Sequence, residues 1–336
     1  MTDDNASQLR VLVTSRSFSS GSRDLVAELA ADGIAVVRGP ADHGLDALAP
    51  LLASADGWIA GTGPVTNAHL ALAPRLQIVA RYGVGVDAVD LPAAAGRGVV
   101  VTNTPGANSG AVADHAVALM LAALRGVASG DRRVRSGRWT VERSHELGGL
   151  TVGVIGFGRI GRGVAARLRG FGCRILASDP FLTDADIAAA GATPVSPGVL
   201  TARADVITLH APGDQRIVDA AWLSTVRAGL ILVNTARAVL VDEDALAAAL
   251  RDGRVAAYAA DTLSSESAAG GGPVGPLLGD DLVDRVTITP HSAAQTVEAV
   301  DRMGAGAAAA VRAFLLDREP DLTLLGVVVG REKLPA

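Results

Sequence analysis

Cysteine, lysine and aromatic residues are scarce in this sequence of 336 residues. The single cysteine, Cys173, excludes a disulfide framework and any metal site built from several cysteines. The single lysine, Lys333, lies close to the carboxyl end, whereas Schiff-base and pyridoxal chemistry need a lysine held in a packed site. These scarcities favour a protein of the reducing cytoplasm and argue against covalent catalysis by lysine.

An excess of positive charge and long apolar runs are also missing. The net charge is -5, so the sequence offers no basic surface for nucleic acid or for an anionic membrane. No run of apolar residues approaches the ~20 residues that span a bilayer. We therefore expect a soluble, cytoplasmic protein that binds neither nucleic acid nor membranes.

Short runs rich in β-branched residues alternate with helix-like stretches along the chain. With 336 residues, 49% of them hydrophobic, the chain is too long for one ordinary core, and two domains are expected. The alternation predicts parallel β-α-β units, and hence an α/β fold with two doubly wound parallel sheets. The predicted strands are 10–14, 34–37, 56–60, 77–81 and 99–102 in a first block, and 150–156, 174–179, 205–210, 230–235, 256–261 and 286–290 in a second.

Two long helices with apolar periodicity accompany these blocks. They are predicted over 109–125 and 297–316, and a polar arm, 129–149, follows the first of them. If the second helix returns to the first block, the domain built from that block is discontinuous.

A glycine motif in the second block predicts a cofactor. Gly156, Gly158 and Gly161 form G-x-G-x-x-G directly after a predicted strand and at the opening of a helix. There the glycines permit a tight turn, close approach of the backbone to a pyrophosphate, and close packing of helix on strand. Asp179 ends the next strand, where a carboxylate accepts hydrogen bonds from an adenosine ribose diol and repels a 2′-phosphate. The motif therefore predicts NAD rather than NADP.

Several longer segments resemble the D-isomer-specific 2-hydroxyacid dehydrogenases, the family that contains phosphoglycerate, glyoxylate/hydroxypyruvate and D-lactate dehydrogenases. From about residue 10 to 320, in the family's order, they are RYGVGVDAVDLPAAAGRGVVVTNTPGANSGAVADHAVALML, the glycine motif, VNTARAVLVDEDALAAALRDGRVAAYAAD and TPHSAAQTVEA. The resemblance implies a flavodoxin-like substrate domain made from 1–103 and 292–336, with a Rossmann NAD-binding domain, 104–291, inserted in it. It also implies catalysis in the cleft between the domains, and a homodimer joined through the long helix and the arm.

The resemblance assigns the catalytic residues one at a time. Arg237 in NTARA matches the family's arginine in NTARG, and His291 matches the histidine that ends TPH. Glu266 matches a glutamate that lies five residues after a strand-closing aspartate. The sequence departs from the family at Ala238, where the family has glycine, and at Ser267, where it often has proline. Because a glycine-rich run follows Glu266, that loop is expected to be mobile until ligands bind.

Reduction of a 2-oxo acid needs these residue types. A hydride moves from NADH to carbon, and a group that is protonated near neutral pH must give a proton to the oxygen. His291 can do this, and Glu266 beside it should raise its pKa and fix its orientation. Arg237 offers a planar fork of donors for a carboxylate and a carbonyl.

The glycine motif and the resemblance together assign further binding residues. Cofactor binding is expected from Gly156, Gly158, Arg159, Ile160, Gly161, Asp179, Thr235 and Asp261, and substrate binding from Arg81, Val84, Gly85 and Arg237. Val84 and Gly85 lie in YGVGVD, which resembles the family's loop for the substrate carboxylate.

The other histidines carry weaker expectations. His115 lies in an apolar helix, which favours a packed, hydrogen-bonded structural residue. His210 ends a strand near the expected adenosine site, and its role stays open. His43, His69 and His145 lie in polar surroundings without identifiable partners, so a metal site has little support.

The substrate itself stays open. Phosphoglycerate enzymes of the family usually have an arginine after the strand that matches 56–60, whereas GTGPVT here offers no cation. The arm nevertheless carries Arg132, Arg133, Arg135 and Arg138, and in some relatives such an arm supplies charge to a phosphorylated substrate of the neighbouring subunit. A substrate with a second anionic group, phospho or phosphono, is therefore kept as an alternative.

Other functions share this scaffold. Formate dehydrogenases lack a glutamate beside the histidine, so Glu266 argues against them, whereas no residue excludes oxidation of phosphite. Transcriptional corepressors of the C-terminal-binding type use the scaffold as a non-enzymatic, dinucleotide-sensing module that binds peptides. Turnover of a small oxo acid would separate an enzyme from such a module.

Overall fold

The structure, a computed structural model, describes residues 8–213, 215–266, 272–316 and 326–329. The chain divides into two compact units: unit 1 is Met1–Asn108 with Gln295–Ala336, and unit 2 is Ser109–Ala294. Each is described by itself. The assignment of unit 1 to the substrate and the predicted domain boundaries stay predictions.

The predicted strands follow one another along the chain in the expected order, and each lies within two residues of its predicted bounds. The strands are β1 (Leu9–Val13), β2 (Ile34–Arg38), β3 (Gly57–Ala60), β4 (Ile78–Arg81), β5 (Val100–Asn103), β6 (Thr151–Ile155), β7 (Arg174–Ser178), β8 (Thr193–Pro194), β9 (Val206–Leu209), β10 (Leu230–Asn234), β11 (Val255–Ala260), β12 (Val286–Ile288) and β13 (Gly326–Val329). The helices are α1 (Leu25–Ala31), α2 (Leu45–Leu52), α3 (Asn67–Ala71), α4 (Leu91–Gly96), α5 (Ser109–Arg125), α6 (Val127–Arg135), α7 (Arg159–Leu168), α8 (Asp184–Ala189), α9 (Pro197–Arg203), α10 (Ala220–Thr225), α11 (Glu243–Arg251) and α12 (Val297–Leu315). Short 3-10 turns cover Leu147–Gly149, Arg169–Phe171, Ala238–Leu240 and Asp280–Leu282.

Unit 1 is built on a six-stranded sheet in the order β13-β5-β4-β3-β1-β2. Its pairs are parallel except for β13, which runs antiparallel to β5 at the edge. Trp58 and Val79 pack with residues of α2 and α3 in one buried cluster, and α12 packs against β3, β4 and β5. The sheet is thus covered by helices, which explains why its strands read as continuous apolar runs.

Unit 2 is built on a seven-stranded, wholly parallel sheet in the order β12-β11-β10-β9-β6-β7-β8. The chain order reverses between β6 and β9, and ligands of such sheets bind at the carboxyl ends of the strands near this switch point. Helix α5 packs against α7 and against β10, β11 and β12. The two sheets confirm the predicted fold class of two parallel α/β units.

Some elements differ from the sequence expectation. β8 and β13 are additional edge strands, and β13 is antiparallel, so the sheet of unit 1 is not purely parallel. The predicted polar arm begins as helix α6 and becomes an exposed, irregular stretch only after it.

Among the described residues, no single helix is long and apolar enough to span a bilayer. Helices α5 and α6 meet that test only when joined, and they are bent by 57° relative to one another. Along α5, eight side chains from Ala111 to Leu124 are buried in the protein, as expected of a core helix.

Candidate active site

The loop between β6 and α7 carries the glycine motif at the carboxyl edge of the unit 2 sheet. Gly156 has φ +83°, and a Cβ built on it would lie 2.6 Å from the backbone nitrogen of Ala211. A Cβ on Gly161 would collide with the carbonyl oxygen of Gly156. In contrast, no atom lies within 4 Å of the Cβ position of Gly158. Packing within the protein therefore requires glycine at 156 and 161, whereas Gly158 leaves open space beside α7.

The amino end of α7 fits the pyrophosphate of a dinucleotide. Gly158 is the N-cap and supplies no side-chain hydrogen bond to the first amides of this helix of 10 residues. The first N–H groups, including those of Arg159 and Ile160, have no partner within the helix, and they lie at the positive end of its dipole. Because the space beside Gly158 is open, an anion can approach this backbone closely.

Asp179 follows β7 and faces the same glycine loop. One carboxylate oxygen accepts a hydrogen bond from the backbone N–H of Phe157 at 2.7 Å, and the other accepts from that of Phe181 at 2.8 Å. Each oxygen of an ionised carboxylate has a second lone pair, so Asp179 can also accept from a ribose diol. Its negative charge at this position fits NAD and disfavours a 2′-phosphate.

Buried polar atoms mark the same edge of the sheet. Within the described part of the chain, His210 Nδ1, Thr235 Oγ1 and Thr262 Oγ1 are buried without a hydrogen-bond partner. These residues follow the carboxyl ends of β9, β10 and β11. Since buried polar groups are normally bonded, the three atoms fit a polar ligand laid along this edge. Thr262 carries no motif that sequence reasoning could have used.

Arg237 is half-buried just beyond β10, on a turn held by the buried Asn234. The Asn234 side chain donates to the carbonyl of Arg237 at 2.8 Å and accepts from the backbone of Ala236 at 3.0 Å. The stem of Arg237 packs on Gly213, where a Cβ would lie 2.7 Å from the Cβ of Arg237. Gly213 is therefore a further residue that shapes the site, and no motif in the sequence points to it.

Glu266 and His291 are brought together as predicted. His291 Nδ1 lies 3.2 Å from Glu266 Oε1, and the two side chains are 42% and 38% exposed. The hydrogen bond that His291 donates to Glu266 raises the pKa of His291 above its usual value, although burial and the charge of Arg237 oppose this. His291 therefore holds a proton more strongly than a free histidine, while the pair remains accessible.

His291 has an unusual backbone conformation. Its φ is +51°, in the left-handed region that side-chain-bearing residues rarely adopt. Its N–H donates to the carbonyls of Asp261 and Thr289, at 3.0 and 2.9 Å. The catalytic candidate thus sits in a turn that the end of β11 holds in place.

Asp261 is the buried anchor of this turn, with 1% of its surface exposed. Its carboxylate accepts from the backbone N–H groups of Ser292 at 2.9 Å and Ala293 at 2.8 Å, and from the hydroxyl of Thr289. Burial works to raise the pKa of Asp261, but hydrogen bonds from His115, Thr289 and these amides outweigh it and lower the pKa. Asp261 is accordingly an ionised residue that holds the His291 segment, and its contact with a cofactor stays a prediction.

The loop that carries Glu266 is anchored from α11. The Glu243 carboxylate accepts from the backbone N–H of Ser264 at 2.8 Å and from its hydroxyl at 2.7 Å. Glu243 is a supporting residue that the sequence did not reveal, since 21 positions separate the partners. The glycine-rich run expected to be mobile lies partly in 267–271, outside the described residues.

The predicted substrate residues of unit 1 lie after β4. Arg81 is buried, and its guanidinium donates to the carbonyls of Gly85 at 3.1 Å and Ala60 at 3.3 Å. The carbonyl of Val84 accepts from the side chain of Asn103 at 2.8 Å. These bonds fix the path of the loop 83–86, which supports a loop-holding role for Arg81. Substrate binding by Arg81, Val84 and Gly85 stays a prediction.

Two histidines of unit 1 differ from the expectation. His43 and His69 are buried and hydrogen-bonded rather than set in polar surroundings without partners, so that expectation was wrong. His43 bonds the carbonyl of Pro64 through Nδ1 at 2.8 Å and the hydroxyl of Thr14 through Nε2 at 2.7 Å. Burial lowers the pKa of His43 to about 4. His69 bonds Thr66 in the capping box of α3, three positions away, whereas its bond to the carbonyl of His43 and the bonds of His43 join residues 21 to 29 positions apart, which no local pattern reveals.

The other three histidines differ in their surroundings. His115 bonds Thr289 Oγ1 at 2.8 Å, as expected of a hydrogen-bonded helix residue. His210, left open by the sequence, bonds Thr208 Oγ1 at 2.9 Å, and burial lowers its pKa to about 3. His145 is exposed. Across the described ranges, no group of three or more His, Cys, Asp or Glu side chains could hold a metal ion.

The arm arginines mostly contact residues of their own arm. Arg133 pairs with Glu142 and Arg135 with Asp131, both at 2.8 Å, while Arg132 reaches the carbonyl of Val283 and the carboxylate of Asp284. A surface depression of about 470 Å³ is lined by Arg132, Arg135, Ser136, Arg138, Val283 and Asp284. Beyond it, Trp139 and Val141 are 85% and 90% exposed.

The chain is similar in sequence to known proteins. Residues 117–293 match the family model described as "D-isomer specific 2-hydroxyacid dehydrogenase, NAD binding domain". A D-3-phosphoglycerate dehydrogenase of Mycobacterium leprae is 42% identical over 275 residues, which cover 79% of this chain and 50% of that protein. A glyoxylate reductase of Korarchaeum cryptofilum is 36% identical over 251 residues, or 72% and 74% of the two chains.

A solved structure extends the comparison to nearly the whole chain. The D-lactate dehydrogenase of Aquifex aeolicus, complexed with NAD and lactic acid, superposes with a TM-score of 0.81 at 25% identity and covers 97% of this chain and 100% of its own. The present chain spans about half the length of the D-3-phosphoglycerate dehydrogenases that it matches, 50% and 55% in two mycobacterial relatives.

Proposed function

Because the chain belongs to the D-isomer-specific 2-hydroxyacid dehydrogenase family, whose NAD-binding domain it contains, we propose that it interconverts a D-2-hydroxy acid and the corresponding 2-oxo acid. The observation that carries the proposal is the contact of His291 Nδ1 with Glu266 at 3.2 Å beside the charge of Arg237. A histidine with a raised pKa and an exposed ring is the acid that reduction of a carbonyl needs.

Each of these residues has a distinct part in the proposed reaction. NADH, when bound, supplies the hydride that reduces the substrate carbon. His291 donates its Nε2 proton to the oxygen of that carbonyl, while Nδ1 remains bonded to Glu266, which stabilises the charged ring. Arg237 binds the substrate carboxylate and polarises the carbonyl with its fork of donors. In the oxidation direction, neutral His291 accepts the hydroxyl proton.

The cofactor is assigned to the carboxyl edge of the unit 2 sheet. The first amides of α7 and the open space at Gly158 fit the pyrophosphate, and the carboxylate of Asp179 fits the adenosine ribose. The unpartnered Thr235 Oγ1 and Thr262 Oγ1 continue this polar edge toward β11.

In this proposal the substrate is a small 2-oxo acid, which either has or lacks a second anionic group. The M. leprae relative is a phosphoglycerate enzyme, but this chain spans only 50% of it, whereas it spans 74% of the glyoxylate reductase. The arm arginines already have partners within unit 2, which favours an unphosphorylated substrate for the isolated chain.

We also propose that the chain forms a homodimer through α5, α6 and the arm. Residues 134–146 are all exposed, and Trp139 and Val141 are 85% and 90% exposed. Large apolar side chains presented in this way mark an interaction surface. Light scattering of the purified protein, with Trp139→Ser beside the wild type, tests the dimer.

The test of the activity is NADH consumption, followed by absorbance, with glyoxylate, hydroxypyruvate, pyruvate, bulkier 2-oxo acids, phosphohydroxypyruvate and phosphonopyruvate. Arg237→Gln should raise KM for the best acid, because it removes the fork that binds the carboxylate. Arg254→Gln is the matched control, since Arg254 pairs only locally with Asp252 at 2.8 Å. If NADH binds but no acid is reduced, the function moves to another hydride donor such as phosphite, or to a cofactor-sensing module.

A further inference from the structure

We propose that His115 is a positioning residue for catalysis, because it anchors through Thr289 and Asp261 the backbone turn that carries His291. This inference rests on the proposed function for its kinetic meaning, but its structural content can be measured without turnover. His115 lies on α5, far along the chain from the residues it would serve.

The hydrogen bonds among His115, Thr289 and Asp261 run in one direction. His115 Nε2 lies 2.8 Å from Thr289 Oγ1 and 3.4 Å from Asp261 Oδ1. The Thr289 hydroxyl has one proton, and it donates that proton to the Asp261 carboxylate. Thr289 Oγ1 can then only accept from His115, so Nε2 of His115 carries a hydrogen. The hydrogen bonds therefore lead from the His115 imidazole through the Thr289 hydroxyl to the Asp261 carboxylate.

The Asp261 carboxylate holds the backbone that follows His291. Asp261 Oδ1 and Oδ2 accept the N–H groups of Ser292 and Ala293, which directly follow His291. The carbonyl of Asp261 accepts the N–H of His291 itself at 3.0 Å. One buried residue thus fixes three consecutive amides of the catalytic segment.

The backbone conformation of His291 requires this support. His291 has φ +51°, a conformation that persists in an L-residue only where the surroundings impose it. The side chain must nevertheless present Nδ1 to Glu266 at 3.2 Å. A small displacement of a catalytic group lowers the rate strongly. A rotation of the Asp261 carboxylate would displace His291 and so lower the rate.

A purely structural role for His115 is less well supported. Helix α5 already contacts β10, β11, β12 and α7, and buries apolar side chains such as Ala116 and Met120. Docking of the helix therefore does not depend on a polar contact. His115 instead keeps 23% of its side chain exposed and directs one nitrogen to the hydroxyl next to Asp261.

The test compares His115→Phe, which keeps ring volume but removes the donor, with His115→Gln, which places an amide N–H near the position of Nε2. Asp114→Asn is the matched control: it is the neighbouring position of α5 and breaks the ion pair with Arg167. His115→Phe should lower kcat about tenfold with an unchanged KM for NADH. His115→Gln should recover most of the rate, and Asp114→Asn should behave as wild type.

The second readout is the pKa of the His291 imidazole, measured by NMR on the substrate-free protein and assigned by the loss of its signal in His291→Gln. The charged groups around His291 are Glu266, Asp261 and Arg237. Loosening Asp261 should lower the pKa of His291 in His115→Phe and leave it unchanged in Asp114→Asn. Because no substrate is needed, this result stands even if no oxo acid is turned over and the proposed function fails.

The proposal is overturned if His115→Phe keeps both the wild-type kcat and the wild-type pKa of His291, or if Asp114→Asn shows the same losses. If His115→Phe does not fold, Thr289→Val against Thr289→Ser decides. Thr289→Val removes the hydroxyl that links His115 to Asp261 and should reproduce the expected losses of kcat and of His291 pKa. Thr289→Ser keeps the hydroxyl and should show the wild-type values. Equal behaviour of valine and serine would also overturn the proposal.

Discussion

His43 of unit 1 and His291 of unit 2, the proposed catalytic histidine, have opposite surroundings. His43 is 2% exposed, and no carboxylate is among its hydrogen-bond partners. Burial lowers its pKa to about 4, with the charges of Arg81 and His69 acting in the same direction. His291 keeps 42% of its side chain exposed, and the hydrogen bond to Glu266 raises its pKa.

The difference separates a histidine suited to a structural role from one suited to the proposed proton transfer. His43 is neutral at physiological pH, so each ring nitrogen has one fixed role: Nδ1 donates to the Pro64 carbonyl and Nε2 accepts from Thr14. Thr14 Oγ1 in turn accepts from Trp58 Nε1 at 3.0 Å and from the N–H of Gly61 at 3.2 Å. His291, with a carboxylate on one side and an accessible nitrogen on the other, can gain and lose a proton.

The largest effect should come from removing the titrating histidine. His291→Gln leaves a side chain that cannot donate a proton to an alkoxide, so kcat for 2-oxo acid reduction should fall by about 10²- to 10⁴-fold. Stability should change little, since the ring is half-exposed. The measurement is NADH consumption at saturating substrate, beside urea denaturation. His145→Gln, at an exposed histidine, is the control. A rate within a few-fold of wild type would remove His291 from the mechanism.

In unit 1, a substitution beside His43 should lower the stability of the protein and leave the rate unchanged. Thr14→Val leaves His43 Nε2, Trp58 Nε1 and one backbone N–H buried without their partner, which should lower the free energy of unfolding by about 3 kcal/mol. Urea denaturation measures the change, and kcat per folded molecule should hold.

Thr201→Val is the matched control for that substitution. Thr201 is equally buried, but its hydroxyl donates to the carbonyl of Gly198 three residues earlier in the same helix. It should therefore cost clearly less than Thr14→Val. Equal losses would mean that the network around His43 adds nothing beyond an ordinary buried hydroxyl.

Sequence reasoning reached the parts of the molecule that repeat or that carry a motif. Except for the edge strands β8 and β13, the strands of both sheets and the long helix α5 followed from the sequence pattern, because their burial is set by local spacing. Gly156, Gly161 and Asp179 lie where the motif predicts, at the end of adjacent parallel strands. The contact of Glu266 with His291 came from a family resemblance, since nothing in the loop itself indicates a partner 25 positions away.

The rest depends on contacts that cross the fold. His115 and Thr289 are 174 positions apart, and His43 and Thr14 are 29 positions apart. No period or motif encodes such a contact. The left-handed backbone of His291 is equally invisible in the sequence, because the residue is neither glycine nor asparagine.

Acid should lower the stability of the protein moderately through protonation of His43. The pKa of His43 is about 4 in the folded protein and near 6.5 when the side chain is free, so the unfolded chain binds the extra proton between these values. Stability therefore falls as pH decreases from 6.5 toward 4, by at most about 3 kcal/mol for this group. His43→Asn should show a shallower decline over that range, measured by urea denaturation at several pH values. His210 contributes equally to both proteins and cancels in the comparison. Parallel curves for wild type and variant would contradict the assignment of a neutral buried His43.

The smallest expected effect is a shift in the pH profile when the carboxylate beside His291 is neutralised. Reduction needs protonated His291, so activity is lost as pH rises through its folded pKa, which Glu266 raises. In Glu266→Gln the alkaline limb of kcat/KM should move to lower pH, with a loss of rate at neutral pH smaller than that of His291→Gln. Glu142→Gln removes one charge from the exposed arm and should leave the limb in place. An unmoved limb in Glu266→Gln would mean that Asp261 alone sets the protonation of His291, and the contrast with His43 would then rest on exposure rather than on the carboxylate partner.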